Sequence, residues 1–161
     1  AADAEIYGAE FELQWLPVEN LFVNLGLGLL STEYQDFVTP DGDFSGNKIP
    51  MSPELTVNGL IQYDIPLQSN DVITLQADFN YQDEVYFDAL ANPLLREDDY
   101  WLLNARISWA SADDKLEVAA FGRNLGDEEY MVYAFDLSFF GFNEEMIGTP
   151  RAFGLEVTYQ L

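Results

Sequence analysis

The chain has 161 residues, 48 % of them hydrophobic and 15 % aromatic, with no cysteine and no histidine. Six Lys plus Arg stand against 29 Asp plus Glu, a net charge of −23. These figures exclude a disulfide framework, thiol or imidazole chemistry and a nucleic-acid partner, whose phosphates would be repelled. The length suits one domain. No run of about 18 apolar residues is present, so no transmembrane helix is expected. The opening AADAEIYGAE lacks the basic and apolar regions of a signal peptide. The signal of an exported protein would therefore lie upstream.

Seven segments read as strands, each with the period of two that separates an apolar from a polar face. Over 5–16, Tyr7, Ala9, Phe11, Leu13 and Trp15 oppose Gly8, Glu10, Glu12 and Gln14. Over 21–37, Leu21, Val23, Leu25, Leu27 and Leu29 oppose Asn24, Gly26 and Gly28, with Phe22 and Leu30 as exceptions. Over 54–66, Leu55, Val57, Gly59, Ile61, Tyr63 and Ile65 oppose Thr56, Asn58, Gln62 and Asp64. Over 71–88, Ile73, Leu75, Ala77, Phe79 and Tyr81 oppose Thr74, Gln76, Asp78, Asn80 and Gln82. Over 100–111, Trp101, Leu103, Ala105, Ile107 and Trp109 oppose Asn104, Arg106 and Ser108. The segment 115–125 matches least well, because Phe121 shares a face with Glu117 and Arg123. A bulge or an inward aromatic is expected there. The last segment, 151–161, alternates Phe153, Leu155, Val157, Tyr159 and Leu161 with Gly154, Glu156, Thr158 and Gln160.

The connections alternate in length. Those at 17–20, 67–70 and 112–114 are tight; those at 38–53, 89–99 and 126–150 are long. Trp15, Trp109, Tyr63 and Tyr159 lie toward the short turns. Tyr34, Phe37, Tyr81, Tyr86, Phe87, Tyr100, Trp101 and Tyr130 lie toward the long loops. Two aromatic girdles around an aliphatic band, with loops sorted by length, form the pattern of a transmembrane β-barrel. The apolar stripe of about nine to eleven residues suits a tilted spanning strand. A soluble β-sandwich is the competing architecture, with acidity of the kind found in salt-loving organisms.

Against this background the chain resembles the C-terminal part of a TonB-dependent outer-membrane receptor. The resemblance is carried by GNKIPMSPELTVNGLIQY (46–63), LQADFNYQDEVYFD (75–88), WLLNARISWASADDKLEVAAFGRNLGDEEY (101–130) and TPRAFGLEVTYQL (149–161). Its most specific parts are Gly-Arg-Asn-Leu at 122–125 with Asp127 and Tyr130, and Pro-Arg-x-Phe-Gly at 150–154. The family usually ends in Phe or Trp, where this chain has Leu161. The resemblance implies an all-β antiparallel barrel in the bacterial outer membrane, closed around an N-terminal plug. It implies uptake of a scarce nutrient such as an iron chelate, cobalamin or glycan. The implied partners are outer-membrane lipid and lipopolysaccharide, the plug and the rest of the receptor, and TonB acting through the N-terminal part. About seven strands are an odd number with two open edges, which a bilayer does not tolerate. Residues 1–161 are therefore expected to be the last third or less of a barrel, without plug or earlier strands.

No catalytic site is expected: without His or Cys there is no nucleophile constellation, and Glu10, Glu12 and Glu156 simply fall on the polar face. No cofactor or resident metal is expected either. Asp83, Glu84, Asp88 and 97–99 in one loop, and Asp36, Asp41 and Asp43 in another, read as solvated acids, with Ca²⁺ the alternative. Asp78, Arg106, Glu117, Arg123 and Glu156 are expected to face the barrel interior and to pair across strands, with contact to plug or anionic ligand as the alternative. Tyr133, Phe135, Phe139, Phe140 and Phe142 either line a substrate-entry vestibule or merely extend a hairpin above the membrane. The functions left open are active transport, a soluble carbohydrate-binding module, and a passive porin.

Overall fold

The computed structural model describes residues 3–40 and 42–160; Asp41 of the first acidic loop and the terminal Leu161 lie outside the described residues. The described residues form thirteen strands: β1 (Asp3–Val18), β2 (Leu21–Asp36), β3 (Val38–Thr39), β4 (Gly42–Asp43), β5 (Leu55–Pro66), β6 (Val72–Gln82), β7 (Val85–Tyr86), β8 (Arg96–Glu97), β9 (Tyr100–Ala110), β10 (Leu116–Arg123), β11 (Met131–Leu137), β12 (Phe142–Ile147) and β13 (Ala152–Tyr159). Seven of them form one antiparallel sheet in the order β1-β2-β5-β6-β9-β10-β13. Each strand lies beside its nearest sheet neighbour in sequence, so the sheet is a meander. Among the described residues β1 pairs only with β2, and β13 only with β10.

The short turns work because each contains a residue that tolerates left-handed backbone. Asn20, Asn70 and Asp114 have φ of 64°, 66° and 56°. Asn and Asp are the non-glycine residues best suited to this region. The turn at 67–71 closes with Leu67 N–H on the Asp71 carbonyl and Asn70 N–H on the Leu67 carbonyl.

The register fixes both faces. Gly59, Phe79 and Leu103 share one cross-strand row, and Leu60, Asp78 and Asn104 share the next, on the opposite face. The apolar face is uncovered: Leu25, Ile61, Leu75, Leu103, Leu155 and Val157 are all exposed, Leu155 to 82 %. No second sheet lies against it among the described residues. A soluble sandwich would bury these side chains, so a single layer with an aliphatic outside requires lipid as its solvent.

The small apolar core lies in the loops. Val85, Phe87, Leu95 and Ala134 are buried together, with Met131 packed against them. This corrects the girdle at two positions. Phe87 is a core residue of the loops. Tyr100 shares a row with Gln82 on the polar face and stacks on Tyr130 at 4.7 Å. Trp101 does lie on the apolar face, against Tyr81 at 4.7 Å.

The segment 71–88 is not one strand. Its sheet pairing stops at Gln82, where the Asp83 carboxylate accepts the Glu84 N–H; Val85 and Tyr86 then pair with Arg96 and Glu97. The connection 126–150 is largely a second hairpin, β11–β12, with a turn of 3₁₀-helix at Ser138–Phe140. Alternation at 115–125 is resolved without a bulge. Pairing of β10 is uninterrupted on both sides, and Phe121 sits on the polar face opposite Gly154, where a Cβ would overlap its ring.

The two faces are expected to tolerate charge differently. In the intact protein folded into lipid vesicles, Ile61→Arg is expected to cost about 2–4 kcal/mol, and Asn58→Arg much less. Urea titration of folding measures both; equal costs would contradict the assignment of the faces.

Candidate functional site

The polar face carries a short chain of charged groups. Arg106 on β9 donates to Glu117 of β10 at 2.9 Å and to Glu156 of β13 at 3.2 Å. Row spacing brings the three together, since Ala119 opposes Ser108 on one side and Glu156 on the other. Asp78 is not part of this group; it accepts from Asn104 Nδ2 at 2.7 Å. Arg123 pairs with no carboxylate among the described residues and lies over the Phe121 ring, 5.2 Å from its centroid. The five charged residues thus fall into three separate arrangements: Arg106 pairs across strands as expected, and Arg123 does not among the described residues.

From Asn104 the hydrogen bonds continue upward. Its Oδ1 accepts the Asn124 N–H at 2.9 Å. Asn124 is buried and has a φ of 48°. Its Oδ1 accepts the Glu128 N–H at 2.9 Å, and its Nδ2 donates to the carbonyls of Glu128 at 2.8 Å and Thr149 at 3.1 Å. One amide therefore closes the turn after β10 and ties it to the strand returning from β12. Two neighbours reinforce the closure. Arg151 donates to Asp127 at 2.9 Å, and Gly148 N–H donates to the Tyr130 carbonyl at 2.7 Å, with the Tyr130 ring over the Gly148 Cα. The two most specific motifs of the sequence, at 122–130 and 150–154, are thus the two halves of one clasp at the base of the hairpin. Asn104 and Asn124 were not singled out in the sequence as site residues. The available signal was an Asn two residues before Gly-Asp at the end of a strand, a position that favours left-handed turns.

Above the clasp stands the β11–β12 hairpin. Tyr133 meets the buried Phe87 edge-on at 6.1 Å. Phe139 and Phe140 meet each other at 5.3 Å at the tip and are exposed to 93 % and 70 %. Phe135 and Phe142 are exposed on the hairpin's sides and make no ring contact among the described residues. The aromatics therefore do not form one cluster: Tyr133 is anchored, and the other four project.

The loop acids are mostly engaged in local bonds. Glu84 pairs with Lys48 and Arg96, and Glu54 with Lys48 at 2.9 Å. Asp88 accepts the Asn92 N–H. Burial raises the Glu97 carboxyl above its ordinary value, although Met131 N–H donates to it at 2.9 Å. Hydrogen bonds from Ser138 hold Asp136 below the usual carboxylate range. No three ligating side chains converge on a metal position among the described residues.

The sequence and the fold match known proteins. The profile of the family described as TonB dependent receptor-like, beta-barrel, matches residues 1–125. The chain belongs to this family. Its members are barrels of the bacterial outer membrane. Among solved structures, the chain is similar to the ferric yersiniabactin uptake receptor FyuA from Yersinia pestis, at 19 % identity and a TM-score of 0.85, over 99 % of this chain and 24 % of that one. It is similar to BauA, the ferric preacinetobactin receptor from Acinetobacter baumannii, at 19 % identity and a TM-score of 0.79, over 98 % and 22 %. It is also similar to the ferric-catecholate import receptor Fiu from K12 E. coli, at 20 % identity and a TM-score of 0.71, over 97 % and 21 %. At such identities the likeness is one of fold. The chain spans about a quarter of the length of these receptors.

The clasp has a measurable weight. Asn124→Gly keeps the left-handed backbone but leaves one N–H and two carbonyls without their partner, so a loss of about 1–3 kcal/mol is expected. Arg151→Ala removes an exposed pair and should cost at most about 1 kcal/mol. Folding titrations of the two variants in vesicles give the comparison, and a costlier Arg151→Ala would show that the buried amide is not the centre of the clasp.

Proposed function

We propose that residues 1–161 are the C-terminal arc of a TonB-dependent receptor that imports a scarce nutrient across the outer membrane, an iron chelate foremost. The observation that carries this reading is the family match over residues 1–125. The solved neighbours named for ferric chelates support the choice of cargo. The edges of the sheet support the arc. Among the described residues β1 and β13 each present an unpaired row of backbone groups, which a bilayer tolerates only when further strands complete the ring. In this reading the plug and the earlier strands belong to the remainder of the receptor. TonB engages that remainder, lipid and lipopolysaccharide surround the apolar face, and the polar face lines the interior.

Ligand capture falls to the hairpin. Phe135, Phe139, Phe140 and Phe142 offer exposed ring surface. The acids beside them, Asp136, Glu144 and Glu145, have no cationic partner among the described residues. A bare anion would be repelled there, whereas a chelate whose metal offsets its ligand charge would not. Tyr133 has a different part: its contact with Phe87 holds the hairpin on the loop core.

In the full-length receptor, replacing Phe135, Phe139, Phe140 and Phe142 together with Ser is expected to weaken chelate binding by about tenfold or more while the barrel stays folded. Equilibrium binding of radiolabelled ferric chelates to whole outer membranes reads the effect. Unchanged affinity for every chelate that the unaltered receptor binds would leave the hairpin a purely structural extension.

A further inference from the structure

In a chain with 29 acids, a cation without a carboxylate is out of place. Lys48, Arg96, Arg106 and Arg151 are each held by at least one acid. Lys115 is exposed in the short turn after Asp114. Arg123 is on the wall itself. Its position in β10 puts it on the face of Glu117 and Phe121, at the loop end of the strand. Among the described residues no carboxylate reaches it and no acceptor takes its N–H groups. Asp78, on β6 beyond β9, accepts from Asn104 Nδ2.

The Arg123 guanidinium is nonetheless held in place. It lies 5.2 Å from the centroid of Phe121. That ring rests on the Gly154 backbone, where any Cβ would collide with it. A cation on an aromatic face satisfies its charge through the ring quadrupole, and its planar edge stays free. That edge is a fork of N–H donors whose geometry fits two oxygens of a carboxylate. The platform also limits how far the side chain can swing, which lowers the ordering cost of binding.

We infer that Arg123 is a carboxylate-binding point on the inner wall of the barrel. It rests on the assignment of the polar face to the interior and not on the role of the hairpin. A carboxylate suits the site better than a phosphate, because Glu128, Glu129, Glu144 and Glu145 of the connection that follows β10 repel a dianion more strongly than a monoanion. The carboxylate has two sources. One is an Asp or Glu of the polypeptide that makes up the remaining three quarters of a receptor of this length. The other is a free carboxylate-bearing ligand.

The test uses the full-length receptor with Arg123→Gln and Arg123→Lys, each verified as folded by its heat-dependent gel mobility. Hydrogen–deuterium exchange follows segments outside residues 1–161, and calorimetric titration with acetate, a monoanion, serves as the probe for a free carboxylate. If the partner is internal, Arg123→Gln raises exchange several-fold in one such segment, Arg123→Lys restores most of the protection, and acetate does not bind. If the partner is free, acetate binds the unaltered receptor, and Arg123→Gln weakens it by about tenfold. Exchange and acetate titration both unaffected by Arg123→Gln would overturn the inference and leave Arg123 as a guanidinium resting on a ring.

Discussion

Everything in this structure follows from where the backbone hydrogen bonds go. A bilayer offers no water to an unpaired N–H or C=O, so each spanning strand must be satisfied by its two neighbours. The meander β1-β2-β5-β6-β9-β10-β13 does this for its five inner strands, with the shortest connections on one side. Hydrophobic burial is then left to the lipid. That is why the large aliphatic residues are exposed in the protein itself, and why its only apolar core, among the described residues, gathers under the loops at Val85, Phe87, Leu95 and Ala134. Stability is divided accordingly. Pairing and lipid hold the wall; ordinary packing holds the parts above it.

The scarcity of positive charge imposes a second order. Six cations cannot neutralise 29 acids, so their placement is informative. Lys48 and Arg96 gather the carboxylates of two loops around Glu84. Arg106 bridges three strands through Glu117 and Glu156. Arg151 closes the clasp on Asp127. These pairs are partly exposed and contribute little stability singly. Their effect is on position: each joins segments far apart in sequence.

The wall was legible in the sequence because alternation with a period of two is imposed on every residue by the two solvents it separates. Leu75, Gln76, Ala77 and Asp78 declare their faces without any knowledge of neighbours. Loop structure was not legible in this way. The sequence gives no period for Val85 and Phe87, whose burial depends on Leu95 and Ala134 arriving from other segments. Tyr100 and Trp101 are adjacent aromatics at the same height, yet only register tells which meets Tyr81 and which meets Tyr130. Asn124 was visible as part of a family motif. Its work, three hydrogen bonds made by one side-chain amide, depends on the return of Thr149 and so on the closed hairpin.

The clasp also bears on how such a protein changes over generations. Asn124, Asp127 and Tyr130 meet Gly148, Thr149 and Arg151 within a few residues of the wall, so the two ends of the hairpin are fixed before its tip begins. Lengthening a loop whose ends are already joined costs only about 0.6 kcal/mol per doubling. Residues 132–146 are in effect a cassette. Insertions, deletions and swaps of aromatic residues there leave the strands on either side in register. The tip can thus be rewritten while the wall below it stays as it is.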